Sequence, residues 1–118
     1  MTFLEKELRN ILNPIINEGY KVVFIEQDAF VILPTCKVKV MFDRSHAIDT
    51  LDVLSLSALN TVNGRIDCTW IYFKDILGER LRRIVNYGSG FQWERMPLTE
   101  SEYSQFTNRV RAYLMVFQ

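Results

Sequence analysis

Cys36-Lys37-Val38-Lys39-Val40-Met41-Phe42 is the stretch that decides the fold. In an extended chain Cys36, Val38, Val40 and Phe42 fall on one face, and Lys37, Lys39 and Met41 on the other. Alternation of this kind marks a strand with one face on a core and one toward water, the usual state of an antiparallel sheet. Candidate neighbours flank it. Tyr20–Glu26 and Ala29–Leu33 are rich in Val, Ile and Phe, with Gln27-Asp28 as a tight connection, and Pro34-Thr35 breaks the chain before Cys36. After the polar turn region Asp43–Asp49, Leu51–Ala58 reads as a fourth strand. It places Leu54, Leu56 and Ala58 on one face and Val53, Ser55 and Ser57 on the other. Connections this short favour antiparallel pairing, because a parallel crossover needs a dozen or more residues.

The first two of these strands are apolar on both faces. Either they are central and covered twice, or their second face meets a partner or another copy of the chain.

Helical periods bracket the strands. Thr2-Phe3-Leu4-Glu5 matches a capping box, and Leu4, Leu8, Ile11, Leu12, Ile15 and Ile16 then recur at helical spacing. Pro14 removes a hydrogen bond to Asn10 and is expected to kink or split this helix, which Gly19 ends in a left-handed conformation. Asn60–Gly64 is turn-like, and Arg65–Thr69 is ambiguous between strand and loop. A second helix is expected from about Ile71 to Asn86, with Phe73, Ile76, Leu77, Leu81 and Ile84 on one stripe and Gly78 inside it. Thr99-Glu100-Ser101-Glu102 is another capping box. It opens a last helix whose stripe is Tyr103, Phe106, Val110, Tyr113, Leu114 and Phe117. The expected architecture is a single α+β domain spanning 1–118: two layers, a four-stranded antiparallel sheet covered by helices, in the order αββββαα.

Composition narrows the function classes. The chain has 118 residues, 48% of them hydrophobic, which is ample for one core. Fourteen basic and fourteen acidic side chains give a formal net charge of zero. A dedicated nucleic-acid binder usually carries a basic excess, and a nucleic-acid mimic an acidic one. Cys36 and Cys68 form no C-x-x-C pair, and no signal-like or membrane-spanning apolar stretch is present. The expected setting is the cytoplasm, with both thiols reduced.

Candidate chemistry is sparse. His46, the sole histidine, lies in the polar turn beside Ser45 and near two carboxylates, and a loop histidine in solvent is the simpler reading. Asp43, Asp49 and Asp52 lack the spacing and glycine of a calcium loop. Arg80, Arg82, Arg83, Arg109 and Arg111 are explained by helix-terminal charge and local pairing, as in Glu79 four residues before Arg83. Gly88-Ser89-Gly90 has no Gly-Lys-Ser/Thr after it and so is no phosphate loop. No catalytic residue, cofactor or metal site is expected, and the chain is read as a non-enzyme.

Phe3-Leu4-Glu5 opening a helix, Gly19-Tyr20 leading into a strand, Val38-Lys39-Val40-Met41-Phe42-Asp43-Arg44 at a strand end, and Trp70-Ile71-Tyr72-Phe73-Lys74-Asp75-Ile76-Leu77-Gly78 resemble a broad group of small bacterial proteins. Some members are immunity proteins of polymorphic-toxin and contact-dependent growth-inhibition systems. The resemblance covers about Phe3 to Gly78. It implies a protein toxin domain as partner, a nuclease among the candidates, and inhibition by direct occlusion without catalytic residues.

For such a partner the sequence offers Phe91 and Trp93, two large aromatics in a loop beside Glu94, Arg95 and Met96, since Trp and Arg are enriched in binding hot spots; the simpler reading is that both rings fold over the helix ends and close the core. Asp67, Asp75 and Glu79 are the acidic candidates to answer a basic nuclease surface. Two alternatives share the same sequence profile: a phage- or mobile-element-encoded inhibitor of a bacterial defence system, and a small RNA-binding module using Lys37 and Lys39 with the arginine helix. A homodimer is compatible with all three, because a near-neutral domain associates readily.

Overall fold

The computed structural model describes residues 3–43, 53–80 and 98–118. Helix α1 (Phe3–Asn17) is built on the expected stripe, with Leu8, Ile11, Leu12 and Ile15 fully buried. It runs through Pro14 as one helix. Its end is a Schellman motif: Gly19 N–H donates to Ile16 O at 3.0 Å and Tyr20 N–H to Ile15 O at 3.3 Å. Gly19 sits at φ +101°, where a side chain would be strained. The Thr2 capping box lies outside the described residues.

The chain then forms an antiparallel meander. Strands β1 (Lys21–Ile25), β2 (Asp28–Ile32), β3 (Cys36–Asp43), β4 (Val53–Asn60) and β5 (Ile66–Tyr72) lie side by side in chain order. The first hairpin turns over Glu26-Gln27, one residue earlier than expected, with Ile25 opposite Asp28. Glu26 takes φ +58°, unusual outside glycine. Pro34-Thr35 forms the second two-residue turn, closed by Leu33 N–H donating to Cys36 O at 2.8 Å. The β4–β5 turn is organised by Asn60, whose side-chain oxygen accepts from the backbone N–H of Val62 and Asn63.

Helices α2 (Phe73–Leu77) and α3 (Glu100–Val116) complete the described elements. The Thr99–Glu102 capping box forms in both directions, with Thr99 N–H donating to Glu102 Oε1 at 2.8 Å and Glu102 N–H to Thr99 Oγ1 at 3.2 Å. Phe106, Val110 and Leu114 of α3 are fully buried. An aromatic chain ties the layers: the Phe42 and Phe73 rings are 5.8 Å apart, and the Phe73 and Phe106 rings 4.7 Å. Thr107 Oγ1 donates to Ile11 O at 2.6 Å and so locks α3 to α1. The fold is α+β, as the alternation in Cys36–Phe42 requires.

Two details differ from the sequence reading. The sheet has five strands, because Ile66–Tyr72, with the first two residues of the expected second helix, pairs with β4 from Leu59↔Ile66 to Val53↔Tyr72. Its β-branched and aromatic residues Ile66, Thr69, Trp70, Ile71 and Tyr72 suit a strand. The helix therefore starts at Phe73. It is interrupted after Leu77: Gly78 N–H still makes the helical bond to Lys74 O at 3.1 Å, but its φ of +54° turns the chain, and Glu79 and Arg80 are helical again.

Candidate functional site

Pairing register divides the sheet into two unlike faces. Opposite residues share a face, so Val22, Phe24, Ala29, Val31, Cys36, Val38, Val40, Phe42, Leu54, Leu56, Ala58 and Ile71 lie together, and the helices cover them. Arg9 of α1 reaches over the rim of this face, with its guanidinium carbon 3.9 Å from the Phe24 ring centre.

The other face belongs to the alternate residues. One row runs Val23, Phe30, Lys39, Ser57, Cys68; a second runs Lys21, Ile32, Lys37, Leu59, Ile66. Here Val23, Ile25, Leu59, Ile66 and Trp70 are between 38% and 68% exposed. Five apolar side chains left wet on one sheet face, spread over three strands, exceed the scatter of single exposed residues that needs no explanation. The face is not uniformly open: Val53 and Ser55 at one end of β4 are buried. Its charges are mainly basic. Lys39 pairs with Asp28 at 3.5 Å, and Lys37 and Lys21 are exposed.

The acidic candidates do not form one patch. Asp67 lies on the helix-covered side at the edge of the sheet, where Tyr113 O–H reaches its Oδ1 at 2.7 Å and its backbone oxygen at 3.0 Å. Burial and the Asp67 carboxylate push the Tyr113 phenol far above its ordinary pKa, so it stays a donor. Asp75 and Glu79 are exposed and follow the opposite end of β5. Five residues of strand separate Asp67 from Tyr72, roughly 16 Å at the usual rise. Phe91, Trp93 and His46 lie outside the described residues, as do Asp49 and Asp52.

The arginines answer carboxylates. Arg111, half-buried, makes a two-pronged pair with Glu18, Nε to Oε1 at 2.9 Å and Nη2 to Oε2 at 2.5 Å. This pairing lowers the Glu18 pKa. Arg80 lies 3.3 Å from Glu102. Arg109 is exposed.

The thiols are separated by the sheet itself. Cys36 is 2% exposed on the covered face, and burial raises its pKa. Cys68 is exposed on the open face, two strands away and 3.6 Å from Ser57 Oγ. Both are free, and their opposite faces exclude a disulfide between them.

Among the described residues no group of three His, Cys, Asp or Glu is placed to hold a metal, and no helix is long and apolar enough to cross a membrane. A cavity of about 240 Å³ opens between Cys36, Asn60, Arg65, Asp67 and Phe117 at one end of the sheet. Compared with protein families, with curated proteins and with solved structures, the chain matches none.

The β5 part of the open face was missed by sequence reading, although its signal was present; the second apolar face of β1 and β2 was expected. Ile66, Cys68, Trp70 and Tyr72 recur at period two, a strand signature. The intervening Asp67 and Thr69 looked too polar for a core-facing stripe, and here the larger stripe faces away from the core.

Proposed function

We propose that this chain is a non-catalytic binding protein of the cytoplasm that neutralises a toxin domain by covering it, in the manner of an immunity protein. The observation that supports the reading is the open sheet face, where Val23, Ile25, Leu59, Ile66 and Trp70 stand exposed opposite a helix-covered core face. A surface of this kind meets a partner by burying an apolar centre within a polar rim. Trp70 is its natural anchor, since a large aromatic supplies most contact area per side chain. The matching surface on the toxin domain is apolar with acidic groups placed for Lys21 and Lys37. Asp75 and Glu79 contribute at the α2 end, and Phe91 and Trp93 remain contact candidates from sequence. Asp67 contributes less, because Tyr113 already occupies its carboxylate.

The test is co-expression with the toxin domain encoded beside the gene, in wild-type form and with Trp70→Ala. The wild-type chain should form a complex and rescue growth, and the variant should fold but bind at least about thirtyfold more weakly, the equivalent of 2 kcal/mol. No complex and no rescue by the wild-type chain would end the reading.

A second reading draws on the same face. Lys37 and Lys39 with Phe30 and Trp70 provide cations beside rings on which unpaired bases could stack. Filter binding of single-stranded RNA at low and moderate salt tests it, and retention that ignores salt or is absent disposes of it.

A further inference from the structure

The β1 edge carries an inference beyond the open face. In the first hairpin the closing pair is Ile25↔Asp28, so Ile25, Val23 and Lys21 exchange backbone hydrogen bonds with β2. The bond from Leu33 N–H to Cys36 O fixes the same parity independently: Leu33, Val31 and Ala29 turn to β3, and Ile32, Phe30 and Asp28 turn to β1. It follows that the backbone N–H and C=O of Val22 and Phe24 point away from the sheet, where no described residue meets them.

Sheet edges are normally blunted by proline, a bulge or a charge within the strand. Lys21-Val22-Val23-Phe24-Ile25 has its one charge at the end, no proline and an unbroken ladder. Arg9 covers Phe24 from the helix side only. The edge and the open face beside it, with Val23 and Ile25 exposed, are left uncovered by the described residues.

We propose that β1 is the docking edge for a second copy of this chain, pairing antiparallel about a two-fold axis through Val23 and joining two five-stranded sheets into one. The parity selects the register. Outward-turned residues must face each other, so Val22 bonds the partner's Phe24 and Phe24 bonds the partner's Val22, four hydrogen bonds in all. Val23 then sits opposite the partner's Val23 on the open face, as a non-hydrogen-bonded pair. The ends of the strand are complementary in charge: Lys21 lies opposite the partner's Ile25 and beside the partner's Glu26, and the symmetry repeats this contact. The zero net charge of the chain adds no long-range repulsion between copies.

The register is tested by cross-linking in a Cys68→Ser background. In a non-hydrogen-bonded pair the Cα atoms are about 4.5 Å apart, within the range a disulfide spans. Val23→Cys should therefore give a disulfide-linked dimer under mild oxidation, and Ile25→Cys, which faces the partner's Lys21, should not cross-link. Val22→Pro is the companion variant. Its missing N–H points off the edge, so the circular-dichroism melt should hold, and the concentration-dependent dimer that sedimentation should show for the full wild-type chain should be lost. A wild-type chain that stays monomeric at every concentration would overturn the proposal. So would equal cross-linking at 23 and 25, or a dimer that Val22→Pro leaves intact in a folded chain.

Discussion

The two faces of one sheet are made from adjacent residues yet have opposite fates. On the covered face Val31, Val38, Val40 and Leu54 are fully buried, with Leu56 close behind. On the open face their immediate neighbours Ile32, Lys37, Lys39 and Met41 are exposed or only partly buried. The contrast follows from where the helices go. The stripes of α1 and α3 are both spent on the same side, and Thr107 and the Phe73–Phe106 ring pair hold them there. A two-layer arrangement needs only one apolar sheet face. The exposed apolar residues on the second face therefore contribute little to folding, and under the proposed function they serve contact with another molecule.

Substitutions on the two faces should separate stability from binding. Phe106→Ala removes a fully buried ring against Phe73 and should cost about 3–5 kcal/mol. A chemical-denaturation midpoint that barely moves would mean that α3 is peripheral. Leu59→Ser on the open face should change stability by no more than about 0.5 kcal/mol, as for ordinary surface substitutions. A large loss there would mean the open face is part of the folding core.

A subtler effect comes from the helix seam. Glu7 is 3% exposed and accepts a hydrogen bond from Tyr103 O–H. Burial raises the Glu7 pKa, outweighing the bonds that lower it, and the Tyr103 phenol is pushed up to about 12 by burial and by Glu7. A carboxyl with a raised folded pKa binds its proton more tightly in the native state. Its contribution to stability is full below the ordinary carboxyl pKa and is lost as pH rises through the folded value. Glu7→Gln should remove this loss, so the variant's advantage in melting temperature should grow with rising pH across that window. A gap that shrinks as pH rises would reverse the assignment.

Much of this contrast was legible in the sequence, and the exceptions have physical causes. Cys36–Phe42 showed its alternation because both of its neighbours are strands and its inner face is wholly apolar. The Thr99–Glu102 cap and the α3 stripe were legible because a cap and a helical period are local patterns. The fifth strand was not, because Asp67 interrupts its inner stripe at the exposed end of the strand, where Tyr113, a partner 46 residues away, bonds it. The pairing of Arg111 with Glu18 was hidden for the same reason, at a separation of 93 residues. Of the candidate contacts, Asp75 and Glu79 are exposed as a binding role demands, and Asp67 is engaged within the fold. Trp70 escaped notice as a contact candidate because Arg65–Thr69 before it was left ambiguous and a helix was expected from Ile71 after it.

The two native thiols report on the two faces directly. Cys36 lies under the helices and Cys68 on the open side. The dilute native protein should be treated with a small thiol reagent and its labels located by mass spectrometry, then the treatment repeated in denaturant. One closed and one open face predict rapid native labelling at Cys68 alone, with Cys36 labelled only on unfolding. Rapid native labelling at Cys36, or protection of Cys68 in the isolated chain, would contradict the account.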